Sequence, residues 1–161
     1  MSQARPHHAR RLIAIGLLIA SALMAPAHAT RPLPPDVDSS ALPPIADPEG
    51  ETNPYRDDPR AITVGRAAFN QSCAACHGID ADASRSPAPD LRRIGRSCGR
   101  VPEPDLKRRC QTDADVYFRS TVEKGKIKLG IEHMPPWQGI LSTELIWAIR
   151  SFVETSQGRA K

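Results

Sequence analysis

Five consecutive residues, Cys73-Ala74-Ala75-Cys76-His77, constrain this 161-residue chain more than any other feature. Positions i, i+3 and i+4 share one face of a helical turn, so both thiols and the imidazole project to one side. Cys-x-x-Cys-His is the attachment pattern of a c-type haem, in which the two cysteines bond to the vinyl groups. The motif therefore predicts one covalent haem c on Cys73 and Cys76, with His77 as the proximal iron ligand.

The N-terminus has the pattern of an export signal. Arg5, Arg10 and Arg11 precede an uncharged apolar run over residues 12–25, and Ala27-His28-Ala29 has the small-x-small form of a signal-peptidase site. The run is shorter than the roughly 20 apolar residues that a membrane span needs, which disfavours an uncleaved anchor. We predict cleavage after Ala29, a periplasmic location and no transmembrane span after processing.

Export changes how charge and cysteines are interpreted. The formal charge of +4 counts three arginines of the signal, and without them 19 basic and 18 acidic residues remain. This near-neutral balance predicts no nucleic-acid partner. The mature chain has no second Cys-x-x-Cys and no histidine pair that could complete a zinc site. A redox dithiol usually opens a helix after a strand, and no strand pattern precedes Cys73.

Composition divides the mature chain into two parts. Residues 30–54 are rich in proline and lack apolar periodicity, so we expect a flexible arm. A haem domain follows over residues 55–161. Asp58 followed by Pro59 predicts a helix to about Gln71, Thr112 or Asp113 a second helix to about Lys124, and Ser142 a last helix that ends at Gly158.

No strand alternation is evident, and prolines interrupt residues 80–109, which we expect to be loops. The pattern predicts an all-α fold of three to four helices around one covalent haem, with long loops. Cys98 and Cys110 are not followed by histidine, so they add no second haem. In an oxidising compartment we expect them to pair with each other.

The second iron ligand follows from the methionine count. Electron-carrying cytochromes commonly place methionine opposite histidine. Met1 and Met24 leave with the signal, so Met134 is the only methionine of the mature chain. It therefore becomes the predicted second ligand. His133 is the alternative, and would give bis-histidine coordination. Lysines just before this loop could steer an acidic redox partner; they are Lys124, Lys126 and Lys128.

Several of these features occur in the order and spacing of class I cytochromes c, which the chain resembles. They are Gly65 and Phe69, the haem motif, Pro89-Asp90-Leu91, Met134-Pro135 and the final helix. The resemblance implies that Gly65 and Phe69 pack against the last helix near Phe152. It also implies that the Pro89 carbonyl accepts a hydrogen bond from the His77 ring. Leu91, Ile94 and Trp137 would line the haem pocket.

The chain further resembles the small periplasmic cytochromes that serve quinoprotein (PQQ-dependent) alcohol dehydrogenases. The residues concerned are Asn53-Pro54-Tyr55-Arg56, the segment between Cys98 and Cys110, His133 to Trp137, and Ile146 to Arg150. This implies a monomeric one-electron carrier rather than an enzyme, with a quinoprotein dehydrogenase as donor and a downstream cytochrome or terminal oxidase as acceptor. Two alternatives stay open: a cytochrome subunit of a larger redox complex, and a haem enzyme or sensor in which Met134 dissociates.

Overall fold

The computed structural model describes residues 32–159, and the predicted signal with its cleavage site after Ala29 lies outside the described residues. The described part is mostly helical, as predicted, and fits the class I cytochrome c fold. Its helices are α1 (Pro59–Ser72), α2 (Ala74–His77), α3 (Pro104–Lys124) and α4 (Thr143–Thr155). Short 3₁₀ turns cover Ile79–Ala81, Ala83–Arg85, Leu91–Arg93, Arg96–Arg100 and Ser156–Arg159. Within 32–159 no helix is both long and apolar enough to cross a membrane.

Helix α1 begins where the sequence predicts. The Asp58 side chain accepts a hydrogen bond from the amide of Arg60 at 2.8 Å, and Pro59 takes the first helical position. Proline fits there because its missing N–H would have no partner in the first turn. One face of the helix is buried and carries Ala61, Val64, Gly65, Ala68 and Phe69.

Helix α4 is the centre of the domain. The Ser142 hydroxyl accepts from the amide of Leu145 at 3.3 Å, which caps the helix as predicted. All residues from Ile146 to Val153 are buried, so the helix is enclosed on every side and its apolar surface exceeds the single stripe that helical spacing predicts.

Helices α1 and α4 cross at a glycine. A Cβ added at Gly65 would lie 1.9 Å from the carbonyl oxygen of Ala148, so only glycine permits this approach. About one turn further along each helix, the rings of Phe69 and Phe152 pack against each other with centroids 5.3 Å apart. The contact of Gly65 and Phe69 with the last helix near Phe152, which the resemblance implies, is therefore confirmed.

Helix α3 begins at Pro104, well before the predicted start at Thr112 or Asp113. The prediction of loop up to residue 109 is wrong because Pro104 does not break a helix; it occupies the first position of this one. The added turns carry Cys110, which forms the predicted disulfide with Cys98 at a Cα–Cα distance of 5.6 Å. The bridge joins the 3₁₀ turn Arg96–Arg100 to α3.

A short antiparallel hairpin, β1 (Lys126–Lys128) and β2 (Ile131–Met134), was not predicted. Three- and four-residue strands are too short to show alternation, and the turn residues do not match a common hairpin signal. Leu129 and Gly130 both have positive φ, 52° and 77°. Lys126 pairs with Met134 while Ile127 pairs with Glu132, so the register skips His133.

The proline-rich segment is extended but packed, so the prediction of an arm without packing is wrong. Val37 contacts the main core cluster, and Leu42 and Ile45 contact the cluster around Trp147. The scattered aliphatic residues thus pack this segment onto the domain, although they follow no helix or strand periodicity. Polar contacts also hold the segment: Arg119 Nη1 donates to the carbonyls of Pro48 and Gly50 at 2.9 and 3.1 Å.

A buried group of charged and polar side chains lies between α3, α4 and the segment before α1. Arg150 and Asp115 are both fully buried, and Arg150 Nε donates to Asp115 Oδ1 at 2.8 Å. Asp115 Oδ2 accepts from the Asn53 amide at 2.9 Å and from Arg56, which also binds Glu154. We call these five residues the ion-pair cluster. Burial raises the pKa of Glu154, and the nearby Arg150 and Arg56 oppose that shift.

Candidate haem site

The Cys-x-x-Cys-His motif occupies one helical turn that follows α1 almost without interruption. The amides of Cys76 and His77 both donate to the Cys73 carbonyl, at 3.1 and 2.9 Å. This turn puts the two sulphur atoms and the imidazole on one face, as the spacing predicts. Cys73 is half-buried against the core cluster, whereas Cys76 is exposed.

The His77 ring is oriented by a backbone carbonyl. His77 Nδ1 lies 3.0 Å from the carbonyl oxygen of Pro89, the contact that the family resemblance implies. A ring N–H at Nδ1 donates to this oxygen and leaves Nε2 as the nitrogen available to a metal. Burial lowers the pKa of His77, which favours the neutral, metal-binding form; the Pro89 contact partly opposes that shift.

The chain reverses direction directly after the motif. Gly78 has φ +80°, and a Cβ there would meet the Asp82 carbonyl oxygen at 2.0 Å. Asp80 then binds back to α1: its amide donates to Asn70 Oδ1 at 2.9 Å, and Asn70 Nδ2 donates to Asp80 Oδ1 at 2.8 Å. This reciprocal pair fixes the start of the loop that leads to Pro89. The Ala88 amide donates to the Cys76 carbonyl at 3.4 Å and holds the end of that loop against the motif.

Seven half-buried apolar side chains from several elements of the fold pack against the main core cluster. We call this set the apolar wall. The wall consists of Val37, Cys73, Leu91, Ile94, Met134, Ile140 and Leu145. Trp137 is buried within the cluster itself, and its amide donates to the Val122 carbonyl at 3.0 Å. Leu91, Ile94, Trp137 and Met134 therefore belong to the same apolar region as Cys73.

The structure treats the two candidate second ligands differently. Met134 is half-buried at the end of β2 and packs on the core cluster, whereas His133 is exposed. His133 is the residue that the hairpin register skips. A bulge of this kind re-aims the side chains that follow it, and here the side chain that reaches the core is that of Met134.

The surroundings of Cys73 do not favour a redox dithiol. Burial raises the pKa of Cys73 to about 12, whereas an attacking dithiol cysteine has a lowered pKa. Among residues 32–159 there is no group of three His, Cys, Asp or Glu side chains placed to hold a metal ion. A cofactor that supplies its own metal suits this site better than a bare ion does.

The residues present fit a covalently bound haem. Two cysteines and a histidine share a helical turn, the histidine ring is fixed through Nδ1, and an apolar wall lies beside them. A mostly helical domain with this single site defines a c-type cytochrome that carries one haem.

Comparison with known proteins agrees with that class. Residues 60–153 match the family described as cytochrome c oxidase, cbb3-type, subunit III. A cytochrome c550 of Pseudomonas aeruginosa is 32% identical over 148 residues, which cover 89% of this chain and 90% of the relative. No solved structure matches the chain. The chain belongs to the cytochrome c family, and is a mono-haem electron carrier with covalently bound haem c.

Sequence reasoning missed two polar groups of the domain, of which only the first lies at the site. The first is the Asn70–Asp80 pair behind the motif, for which the sequence offers no spacing signal. The second is the ion-pair cluster. Asp115 stands three residues before Phe118 on the buried face of α3, and Arg150 interrupts an apolar stretch of α4. A charge on an otherwise apolar face was the available signal, because buried charges are normally paired.

Proposed function

We propose that this protein is an exported, periplasmic one-electron carrier with His77 and Met134 as axial ligands and haem thioether bonds at Cys73 and Cys76. Its donor is a quinoprotein alcohol dehydrogenase, and its acceptor is a downstream cytochrome or terminal oxidase. After cleavage behind Ala29 it travels as a monomer and passes electrons without converting a substrate of its own.

One observation carries the proposal: Met134 packs on the same core cluster as Cys73, while His133 faces away from it. The haem supplies a single iron that alternates between ferric and ferrous states. Two protein ligands leave it no open position, which suits electron transfer rather than substrate binding. The prolines after Met134 restrict the loop, so the thioether is held near its position in both states.

The chain's own residues also limit reorganisation. Pro89 fixes the His77 ring, and the Asn70–Asp80 pair fixes the start of the loop that leads to Pro89. The half-buried apolar residues around Cys73 and Met134 would shield a bound haem from water. A rigid, dry site changes little when one electron is added, and this supports rapid transfer.

The ligand set is tested by optical spectroscopy of the ferric protein. Sulphur ligation gives a weak charge-transfer band near the red edge of the visible spectrum, and we expect this band to vanish in Met134→Ala. His133→Ala is the matched control and should retain it. A band that persists in Met134→Ala, or disappears only in His133→Ala, would refute the assignment of Met134.

The donor is tested by stopped-flow reduction of the ferric protein. We expect a purified quinoprotein alcohol dehydrogenase, supplied with its alcohol, to reduce the cytochrome in a second-order reaction. The assignment of the donor fails if quinoprotein dehydrogenases from the same cells reduce other cytochromes but not this one. The assignment as a one-electron carrier would stand in that case.

A second candidate, a cytochrome subunit of a larger redox complex, is favoured by the description of the matched family as an oxidase subunit. Gel filtration of gently solubilised native membranes and of the periplasmic fraction separates the two. A free carrier elutes at the size of one chain in the periplasmic fraction. A fixed subunit elutes with an oxidase.

A further inference from the structure

The hairpin before Met134 carries three exposed large aliphatic side chains. Ile127, Leu129 and Ile131 are 70%, 101% and 62% exposed. A single exposed aliphatic residue is ordinary, but three on a nine-residue hairpin form an apolar tip that nothing in the described chain covers. No atom lies within 4 Å of a Cβ built at Gly130, so the tip stands clear of the rest of the domain.

Folding does not account for the leucine at the tip. Leu129 and Gly130 are the central turn residues and both have positive φ, the pattern of a type I′ turn. Asparagine is the favoured first residue of such a turn, because a side chain with Cβ is strained at positive φ and asparagine tolerates it best. Leucine here is both strained and fully in water. A local choice that opposes stability without compensation is typical of a functional position.

Positive charge surrounds this apolar tip. Lys124, Lys126 and Lys128 lie on or beside β1, and in the described range none of them forms an ion pair with a carboxylate. The Lys126 ammonium lies 4.8 Å from the centroid of the exposed Tyr117 ring.

Because Ile127 is paired with Glu132 and Ile131 with Lys128, the two isoleucines lie on opposite faces of the hairpin, with Leu129 at the turn between them. The tip is thus apolar on both faces and has lysines at its base. It complements an apolar recess that encloses the tip and has an acidic rim.

The hairpin is continuous with the redox site. Its second strand ends at Met134, and the Gly125 position before β1 is packed so closely that a Cβ would meet the Met134 carbonyl oxygen at 2.4 Å. A protein that covers the tip therefore lies at one end of the hairpin, and Met134 lies at the other. Docking at this place would bring the donor to the element that carries the proposed iron ligand.

A lipid surface suits the same residues less well. Glu132 stands directly opposite Ile127 in the hairpin and is exposed beside it. Immersion of the apolar tip in an anionic bilayer would bring this carboxylate into the headgroup layer, where it is repelled and desolvated. A protein partner can leave room for one carboxylate at the rim.

We propose that the hairpin Lys126–Met134 is the docking element for the electron donor, with Leu129 inserted into an apolar, acid-rimmed recess of that protein. The inference rests on the proposed function, because it takes the quinoprotein dehydrogenase as that donor. The lysines accelerate encounter and orient it, and the aliphatic tip holds the complex together.

The decisive variant is Leu129→Asn, because it should change stability and docking in opposite directions. Asparagine relieves the strained turn, so we expect a higher melting temperature of the holoprotein. The second-order rate of reduction by a purified, alcohol-reduced quinoprotein dehydrogenase should fall about fivefold, the scale of losing one interface anchor. Leu33→Asn, the same change at a residue that is 81% exposed, is the matched control and should leave the rate unchanged.

Two further measurements separate docking from intrinsic reactivity. Reduction by ascorbate should be equal in wild type, Leu129→Asn and Leu33→Asn, since a small reductant needs no docking element. Lys126→Gln/Lys128→Gln should lower the dehydrogenase rate at low salt and flatten its dependence on ionic strength. These readouts would not respond to a merely structural role of the hairpin.

Each contrary outcome overturns a defined claim. If the dehydrogenase reduces wild type and Leu129→Asn at equal rates, the hairpin is not the docking element, and the assignment of the donor is unaffected. A dehydrogenase that reduces none of the proteins, all of which ascorbate reduces, would remove the donor and the docking proposal together. Binding to anionic phospholipid vesicles, or a dimer in sedimentation, that Leu129→Asn abolishes would replace the donor by a membrane or a second copy.

Discussion

The side chains on the two sides of this domain are buried in different ways. On the side of α1, α3 and α4, side chains find partners within the chain: Gly65 meets Ala148, and Asp115 meets Arg150. On the side of residues 78–101, only 3₁₀ turns occur, and Leu91 and Ile94 are half-buried against the core cluster. The first side is complete as a packed protein interior. The second leaves Leu91 and Ile94 of the apolar wall half-buried, and a bound haem would cover them.

The contrast explains why a chain with few large core residues folds into a stable carrier. Aromatic residues make up only 4% of the sequence, and the rings of Phe69, Phe118, Trp147 and Phe152 are all committed to the interior around α4. Little apolar bulk remains for the haem side. A covalent cofactor supplies that bulk and cannot diffuse away from the protein.

Removal of the haem should have the largest effect, and it should affect the two sides of the domain differently. In Cys73→Ala/Cys76→Ala, which cannot bond to the vinyl groups, we expect amides between residues 79 and 101 to lose most of their protection against hydrogen exchange. Amides of α4 should keep theirs, because their contacts lie within the chain. Equal loss of protection on both sides would show that the ion-pair side also depends on the cofactor.

The next largest effect is expected within the ion-pair cluster. Arg150→Ala removes the fully buried guanidinium of the two that pair with the buried Asp115, and should lower the free energy of unfolding by about 4 kcal/mol in urea titrations. Arg108→Ala, which breaks an exposed ion pair with Asp105, is the control and should show no measurable change. Recovery of stability in Arg150→Met/Asp115→Leu would show that the loss comes from an unpaired charge rather than from lost volume.

A substitution at the crossing of α1 and α4 should lower the free energy of unfolding somewhat less. Gly65→Ala forces the two helices apart, since its Cβ would overlap the Ala148 carbonyl, and should cost about 3 kcal/mol of unfolding free energy. Gly99→Ala is the matched control, because no atom lies within 4 Å of its added Cβ. If both variants unfold at the same denaturant concentration, the close helix approach is not what holds this side together.

The sequence predicts the parts of the fold that depend on local chemistry. The starts of α1 and α4 follow from Asp58 with Pro59 and from Ser142, because caps act within one turn of the chain. The start of α3 does not, since a proline can either end a helix or begin one, and only tertiary packing decides. The hairpin and the packing of the proline-rich segment likewise depend on contacts distant in sequence.

The candidate site divides in the same way. Cys73, Cys76 and His77 are contained in one short motif, so the cofactor follows from the sequence directly. Pro89 is twelve residues away from His77 and is predicted only through the family resemblance. Asn70 with Asp80, and Asp115 with Arg150, meet through the fold alone. Helical spacing cannot pair residues on different elements.

The smallest expected effect is on stability at low pH, and it concerns one capping carboxylate on each side of the domain, Asp58 and Asp82. Hydrogen bonds from Arg60 hold the pKa of Asp58 at about 2, and bonds from Ser84 lower the pKa of Asp82. Each carboxylate is more acidic when folded, so its contribution to stability is present above pH 4 and is lost as the pH falls through the folded pKa. Asp58→Asn and Asp82→Asn keep a capping oxygen but do not titrate, so each should flatten the acid limb of a plot of melting temperature against pH.

The two substitutions should differ in whether their effect depends on bound haem. Asp58 caps α1, so Asp58→Asn should flatten the curve equally in the holoprotein and in the haem-free double alanine variant. Asp82 caps the turn Ala83–Arg85 on the haem side, so Asp82→Asn should matter only when haem is attached. An effect of Asp82→Asn that is the same with and without haem would mean that this turn is already ordered by the chain itself, and the boundary between the two sides would then lie beyond residue 85.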